Sequence, residues 1–220
     1  MGGVEIVVML NVLGAIWRLH ELDRDLTLSI NGLHSMFTDQ FWQFCSDKIA
    51  WIPLYAIAIV FLVRSIGWKK TLIYLAAIGI GFLLCDQISN FVKDTVGRLR
   101  PNYDAEAVRR GLNVLESRGG KYGFFSAHAA NAFCAAILFH KALKTGCPPR
   151  LATPVLAFVI YSWATLVAIS RIFVGKHFLG DVIVGTLVGL AIGSLVAVFV
   201  AWISSRIRGM DGQAGNTVKA

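Results

Sequence analysis

The residues that decide the fold class are VIVGTLVGLAIGSLVAVFVAWIS at positions 182–204, an apolar run without a single charge. Because a helix needs about 20 apolar residues to cross the hydrocarbon core of a bilayer, this run predicts a membrane-spanning helix. Four more spans are predicted over 49–64, 71–92, 127–143 and 151–170. Only 15% of the residues are charged, against about 25% in soluble domains. We therefore predict an all-α integral membrane bundle of about five transmembrane helices.

The first 48 residues have a different character, because aromatic side chains such as Trp17 and Trp42 lie among charged ones. This mixture favours one or two helices in the membrane interface. The apolar run 4–17 is short for a span, and a sixth span over residues 1–18 is the alternative. The chain is thus divided into interfacial helices over 1–48, a membrane domain over 49–206 and a disordered cytoplasmic tail over 207–220.

Basic residues predict which loops share a side of the membrane. The loop after the first span contains Arg64, Lys69 and Lys70, and the loop after the third span contains Lys141, Lys144 and Arg150. The tail contains Arg206, Arg208 and Lys219. Since basic loops stay in the cytoplasm, loops 93–126 and 171–181 are predicted to lie at the outer face. The same rule accounts for the net charge of +8. No basic stretch is interleaved with stacking aromatic residues, so nucleic acid is not an expected partner.

The stretch from Arg171 to Asp181 carries the most informative side chains. Arg171 ends one predicted span, Gly175 permits a turn, and His177 and Asp181 are expected on one face at the start of the next helix. A carboxylate one turn from an imidazole can accept its second N–H and stabilise the imidazolium. This arrangement suits a histidine that attacks phosphorus, although the pair alone could equally be a helix cap.

Lys93 and Arg100, followed by Pro101, close the second span. An ammonium and a guanidinium are both ligands for phosphate oxygens, and a basic cap at the membrane surface is the alternative. Asp86 and Asn90 share a helical face with Lys93 and are expected to support it without direct chemistry. Arg98 is expected at the interface or paired with Asp94.

The third cluster, Ser126-Ala127-His128, opens the third span. Ser126 can cap this helix while donating to a phosphate oxygen. His128 can protonate a leaving oxygen as a general acid, or it can simply be a polar residue at a helix start. His20, His34 and His140 lack such neighbours in the sequence and are interpreted as interfacial or loop residues.

Together these motifs resemble the type 2 phosphatidic acid phosphatase superfamily, whose pattern is KxxxxxxRP, then PSGH, then SRxxxxxHxxxD. The first motif matches at Lys93, Arg100 and Pro101, and the third matches at Ser170, Arg171, His177 and Asp181. The second departs from the pattern because Phe125 and Ala127 replace its proline and glycine. The resemblance covers about residues 50–205.

The resemblance implies a metal-independent hydrolase without a cofactor that acts on a lipid phosphate. Together with the predicted sidedness of the loops, it predicts a site at the outer face of a bacterial inner membrane. It implies His177 as nucleophile, Asp181 as its partner and His128 as acid. It implies Lys93, Arg100, Arg171, Ser126 and the backbone amides around Ser126, including that of Ala127, as phosphate ligands. No obligate protein partner is implied.

The substrate stays open at this stage. Undecaprenyl pyrophosphate is favoured because recycling of that carrier at the outer face suits the predicted topology, and a lipid A phosphate and phosphatidylglycerophosphate are the alternatives. Loop 102–122, with Arg109, Arg110, Arg118 and Lys121, could bind a large anionic headgroup or be solvated. A phosphotransferase and a non-enzymatic lipid-binding or transport protein are the other classes, and the latter has no need of the His177–Asp181 pair.

Two further patterns concern packing. Gly185, Gly189 and Gly193 form a small-residue face on the last span, which predicts close approach of another helix. Packing within the chain is favoured over a dimer interface. The four cysteines show no metal-ligand or paired spacing and are interpreted as ordinary small residues.

Overall fold

A computed structural model describes residues 3–146 and 152–217 of the chain. Within them the chain forms eight α-helices and one short 3-10 turn, Pro101–Tyr103. The helices are α1 Gly3–Asn31, α2 Met36–Ser46, α3 Ile52–Ile66, α4 Trp68–Val96, α5 Ala105–Arg109, α6 Ala127–Gly146, α7 Ala152–Phe173 and α8 Leu179–Thr217. Each of the five predicted spans coincides with a helix, and the predicted helical membrane bundle is confirmed.

Short local signals set the ends of several helices. Ser35 caps α2, because its hydroxyl accepts a hydrogen bond from the Thr38 amide while the Thr38 hydroxyl accepts one from the Ser35 amide. This reciprocal capping box satisfies two amides that a helix start leaves unpaired. Gly67, with φ of +81°, is the single residue between α3 and α4. Gly97 ends α4 in the left-handed conformation that favours glycine.

The centre of the bundle is α6, which packs against α4, α7 and α8. A Cβ atom at Gly185, Gly189 or Gly193 of α8 would collide with the α6 backbone or press against it. The predicted close approach at this small-residue face is therefore confirmed, and it occurs within the chain. Ala129, Ala130 and other small side chains of α6 are fully buried, which lets the neighbouring helices approach from several sides.

Three of the described helices are long and apolar enough to cross a membrane: Trp68–Val96, Pro154–Phe173 and Leu179–Ile203. The helix Ile52–Ile66 is apolar but shorter. Large apolar side chains such as Leu195 and Phe199 remain exposed on α8, as expected for a surface that faces lipid tails.

The N-terminal helices do more than lie at the edge of the bundle. α1 packs against α7 and α8, and α2 packs against α7. The side-chain amide of Asn31 donates to the backbone carbonyls of Ile172, Phe173 and Asn113. Asn31 is buried, so α1 holds both the end of α7 and the loop that precedes α6. The boundary at residue 48, the sixth span and the cytoplasmic position of the tail stay predictions. Within the predicted disordered tail 207–220, the described residues up to Thr217 continue α8 as a helix.

Candidate active site

The turn between α7 and α8 places the histidine at the centre of the site. Gly175 has φ of +75°, and a Cβ atom there would lie 2.8 Å from the Asn113 carbonyl. The amides of Lys176 and His177 both donate to the Arg171 carbonyl, which folds the chain back on itself. His177 therefore lies two residues before α8. The sequence had predicted it within the first turn of that helix. Its side chain is almost fully buried.

The predicted pair of His177 and Asp181 is present. Nδ1 of His177 lies 3.5 Å from Oδ2 of Asp181, which is longer than an ordinary hydrogen bond of about 2.9 Å, so the contact is mainly electrostatic. Burial lowers the pKa of His177 to about 4, the charges of Arg171 and Arg100 act in the same direction, and Asp181 opposes them. His177 is therefore neutral at pH 7, the state in which an imidazole can act as a nucleophile.

Asp181 also has a partner that the sequence did not predict. Its Oδ1 accepts a hydrogen bond of 2.7 Å from Arg98, and the same guanidinium donates to Asp23 at 2.6 Å. The expectation that Arg98 faces the interface or pairs with Asp94 is therefore wrong. Arg98 was misassigned because its partners lie 75 and 83 residues away along the chain, where helical spacing gives no information.

Arg171 already has an anionic partner. Its terminal nitrogens donate to the two carboxylate oxygens of Glu116 at 3.0 and 3.2 Å, and one also contacts the Ser46 hydroxyl. Burial by itself would raise the pKa of Glu116, but Arg171 and Ser46 outweigh it and lower that pKa. Nε of Arg171 is buried without a hydrogen-bond partner among the described residues. This N–H is the donor that the predicted phosphate-binding role of Arg171 would use.

Lys93 and Arg100 present a different picture, because their charged ends are unpaired within the described part of the chain. Arg100 donates only from Nε, to the Tyr122 carbonyl at 3.0 Å, and its terminal nitrogens lie beside Gly119 and Gly120. Gly123 leaves no room for a side chain, since a Cβ atom would lie 2.9 Å from Cγ of Arg100. The loop before α6 thus holds this guanidinium by its stem and leaves the fork free for an oxyanion.

The start of α6 supplies the third group of predicted residues. The Ser126 amide donates to the Asp181 carbonyl at 3.0 Å, which joins α6 to α8. The Ser126 hydroxyl accepts from the Ala129 amide at 3.4 Å, so the predicted cap is present. The amides of Ala127 and His128 begin the helix, and helix N-termini favour anions. His128 interacts electrostatically with Arg171, His177 and Lys93, which places all three sequence clusters in one site.

Asp86 and Asn90 differ in their surroundings. Asp86 accepts a hydrogen bond from the side chain of Asn131 at 3.0 Å, and its charge also acts on Lys93. Asn90 is exposed and makes no hydrogen bond with a described side chain. Of these two residues, only Asp86 is seen to act on Lys93, and that interaction is electrostatic.

An apolar cavity of about 360 Å³ opens beside His128. Its walls come from α3, α4, α6 and α7, and include Leu62, Phe82 and Ala135. Its polar lining residues are Lys48, Asp86, His128 and Asn131, together with Tyr55 and Trp163, which carry a hydroxyl and an indole N–H. The predicted general acid therefore faces a space with the size and polarity of a ligand pocket.

Other predictions need correction or remain open. His20 is not an isolated interfacial residue, since it lies 3.1 Å from Arg24 and 3.3 Å from Arg98. Arg109 and Arg110, which could have bound a headgroup, pair with Glu106 and Asp25. Cys147 lies outside the described residues. Among those residues, no group of three His, Cys, Asp or Glu side chains is arranged to hold a metal ion.

The residues that sequence reasoning missed lie mostly on the N-terminal helices. His20, Asp23, Arg24, Thr27 and Asn31 follow a helical spacing of three and four, so one polar face of α1 was visible in the sequence. Such a face is also expected of an interfacial helix. Ser46 and Glu116 gave no signal, because nothing local marks them.

Comparison with known proteins places this arrangement in context. The family model of the PAP2 superfamily matches residues 70–205. Two lipid A 4'-phosphatases are similar in sequence. The one from Bacteroides thetaiotaomicron is 34% identical over 78% of this chain and 73% of that protein. The one from Porphyromonas gingivalis is 32% identical over 80% of this chain and 72% of that protein.

A solved structure has the same fold. The transmembrane PAP2-type phosphatidylglycerolphosphate phosphatase of Bacillus subtilis superposes with a TM-score of 0.66, covering 91% of this chain and 96% of that chain. The two sequences are 20% identical, so this likeness concerns the fold alone.

Proposed function

Because the chain belongs to the PAP2 superfamily and is a membrane lipid phosphatase, we propose that it removes a phosphate monoester from a lipid A headgroup through a phosphohistidine. The observation that carries the reaction is the meeting of the His177–Asp181 pair with unpaired donors of Lys93, Arg100 and Arg171. The sequence similarity to two lipid A 4'-phosphatases carries the substrate. The site would face the outer side of a bacterial inner membrane.

In the first half of the reaction, Nε2 of His177 attacks phosphorus, and the bond to the sugar oxygen breaks as the N–P bond forms. His128 gives its proton to that oxygen, so the sugar leaves as an alcohol. Asp181 stabilises the positive charge that develops on the imidazole ring. Lys93, Arg100 and Nε of Arg171 hold the phosphoryl oxygens, whose charge they stabilise in the transition state.

In the second half, water attacks the phosphohistidine. His128 takes a proton from this water, and the N–P bond breaks to release inorganic phosphate and neutral His177. The same group thus acts as acid and then as base. No step requires a group beyond the side chains named and the water.

The apolar cavity supports a lipid substrate. Since His128 protonates the leaving oxygen and also lines the cavity, the leaving half of the substrate belongs on the cavity side. An acyl chain there would be surrounded by side chains such as Leu62 and Ala135. Because the acyl chain enters this cavity from the bilayer and not from water, van der Waals packing rather than dehydration would favour it there.

Undecaprenyl pyrophosphate is a second candidate, and Lys48 is the observation that favours it. Lys48 lines the same cavity as His128. When a diphosphate is cleaved, the leaving group is itself a phosphate, so an ammonium on the leaving side would stabilise it. A monoester of lipid A has a neutral alcohol at that point.

The experiment measures phosphate release by the purified full chain in detergent, with EDTA present. The substrates are bisphosphorylated lipid A, undecaprenyl pyrophosphate and phosphatidylglycerophosphate, and mass spectrometry of the lipid A product reports which phosphate is removed. We expect release from lipid A at the 4' position, lost in His177→Ala and kept in His34→Ala, a matched change at an exposed histidine. Release from undecaprenyl pyrophosphate alone would select the second candidate.

A separate variant tests the cavity. Ala135→Phe fills it from α6, whereas Ala191→Phe adds the same ring to an exposed position of α8. We expect Ala135→Phe to lower kcat/KM for lipid A about tenfold or more while turnover of the water-soluble p-nitrophenyl phosphate is unchanged. Equal losses on both substrates would contradict a chain-binding role for this cavity.

A further inference from the structure

The carboxylate of Asp181 is shared between the catalytic histidine and an arginine. Oδ2 lies 3.5 Å from Nδ1 of His177 and accepts from the Phe178 amide at 3.0 Å, while Oδ1 accepts from Arg98 at 2.7 Å. The Asp181 side chain is completely buried. Its orientation is therefore fixed by two hydrogen-bond donors, the Phe178 amide and the charged Arg98, and by the electrostatic contact with His177.

Arg98 is in turn held by the N-terminal helix. Its second terminal nitrogen donates to Asp23 of α1 at 2.6 Å, and its guanidinium stacks 4.3 Å from the ring centre of Phe178. The other oxygen of Asp23 accepts from the Gly180 amide in the first turn of α8 at 2.8 Å. A Cβ atom on Gly180 would lie 2.8 Å from Asp23, so this carboxylate fits directly against the start of α8.

We propose that Asp23 and Arg98 are positioning residues that set how much negative charge Asp181 presents to His177. This inference rests on the proposed function, because it assigns His177 as the nucleophile. The positive charge of Arg98 offsets the negative charge of Asp181, and the carboxylate of Asp23 offsets part of the charge of Arg98. The two residues therefore act on the imidazole in opposite directions, and a carboxylate of α1 reaches the catalytic histidine through two ion pairs.

Other charged groups also surround this pair. His128 lies at the start of α6, Arg171 near the end of α7 and His20 on α1. Lys93 lies near the end of α4, and Arg100 lies in the loop that follows it. None of these residues is itself replaced in the variants at Asp23 and Arg98. His20 contacts Arg98 directly, but burial lowers its pKa, so it adds no positive charge to the pair near neutral pH. A difference between variants in the titration of His177 thus reports the Asp23–Arg98–Asp181 chain.

The test is an NMR titration of the His177 ring in the full chain, labelled with [15N]histidine in detergent and assigned by comparison with His177→Gln. We expect Arg98→Met to raise the pKa of His177 by about one unit, because Asp181 then stabilises the imidazolium without competition. Asp23→Asn keeps an oxygen for the Gly180 amide but loses the charge. It should lower that pKa by about half a unit, and this effect should vanish once Arg98 is also replaced.

The matched controls are Arg110→Met and Asp25→Asn, which break a separate ion pair between α1 and this loop region and should leave the titration unchanged. Shifts in the same direction for Arg98→Met and Asp23→Asn would overturn the inference, as would an Asp23→Asn effect that persists without Arg98. Full lipid phosphatase activity in His177→Gln would instead overturn the proposed function. The two failures are therefore distinguishable.

Discussion

The two sets of cations around the site differ in whether an anion already accompanies them. Arg171 is buried and bound by both oxygens of Glu116, whereas the charged ends of Lys93 and Arg100 have no such partner among the described residues. A buried charge is costly unless it is paired, which accounts for Glu116 beside Arg171. Lys93 and Arg100 are only partly buried, so water can solvate them until a phosphate arrives. Arg171 is therefore held by an ion pair within the protein, whereas Lys93 and Arg100 would be neutralised only by the phosphate of the proposed substrate.

The largest effect is expected from Arg171→Ala. It removes a phosphate ligand and leaves Glu116 as an uncompensated negative charge facing the site, so kcat should fall about 10³-fold. The unfolding free energy should fall by about 2 kcal/mol, less than for a fully buried pair, because the Glu116 side chain is 31% exposed. Steady-state kinetics and thermal unfolding check both.

The double variant Arg171→Ala with Glu116→Gln sharpens this prediction. Removing the unpaired carboxylate should raise kcat about tenfold above that of Arg171→Ala, because Glu116 then no longer repels the phosphate. If the double variant is no faster than Arg171→Ala, Glu116 does not face the bound phosphate and the contrast between the two cation sets fails.

Arg100→Ala should have the second-largest effect on activity and a small one on stability. Its guanidinium fork is free in the absence of substrate, so its loss removes stabilisation of the phosphoryl oxygens alone, about 10²-fold in kcat/KM. The unfolding free energy should fall by no more than the one hydrogen bond from Nε to the Tyr122 carbonyl, about 1 kcal/mol. A larger loss would show that the fork has a structural partner.

Glu116→Gln should have a smaller, pH-dependent effect on stability. The pKa of Glu116 is lowered below its ordinary value near 4.5, so its pairing with Arg171 stabilises the protein above that value. The contribution is lost as the pH falls through the lowered pKa. We expect wild type to melt above Glu116→Gln at pH 7, by the equivalent of about 1 kcal/mol, and the two curves to converge in acid. A constant gap would contradict the pairing.

The smallest effect is expected from Arg109→Ala. Arg109 is exposed and pairs with Glu106 three residues earlier, and such surface pairs contribute about 0–1 kcal/mol. Phosphate release should stay within about twofold of wild type. A large loss on lipid A alone would instead indicate that this loop binds the headgroup.

Much of the site was predictable because its residues sit next to local signals. Lys93 and Arg100 flank the end of a span, Ser126 and His128 open one, and His177 precedes Asp181 by four residues. These spacings are read directly from the chain. The glycine face of α8 likewise predicted close packing, because small residues at every fourth position form one helical face.

The rest could not be read in this way. Ser46 lies 125 residues from Arg171, and Asp23 lies 75 residues from Arg98. A serine in a polar stretch and an aspartate on an amphipathic helix look like ordinary surface residues. Their roles exist only because α1 and α2 pack against α7 and α8.

The sequence by itself determined the membrane class, the helices and the side chains with phosphate chemistry, since hydrophobic length and motif spacing are local properties. The tertiary structure alone decided which charges meet. It gave Glu116 to Arg171 and Arg98 to Asp181, and it left Lys93 and Arg100 open. The physical reason is that ion pairs depend on distance in space. The elements that bring these groups together lie far apart in the sequence, up to 157 residues for the contact between Asp23 and Gly180.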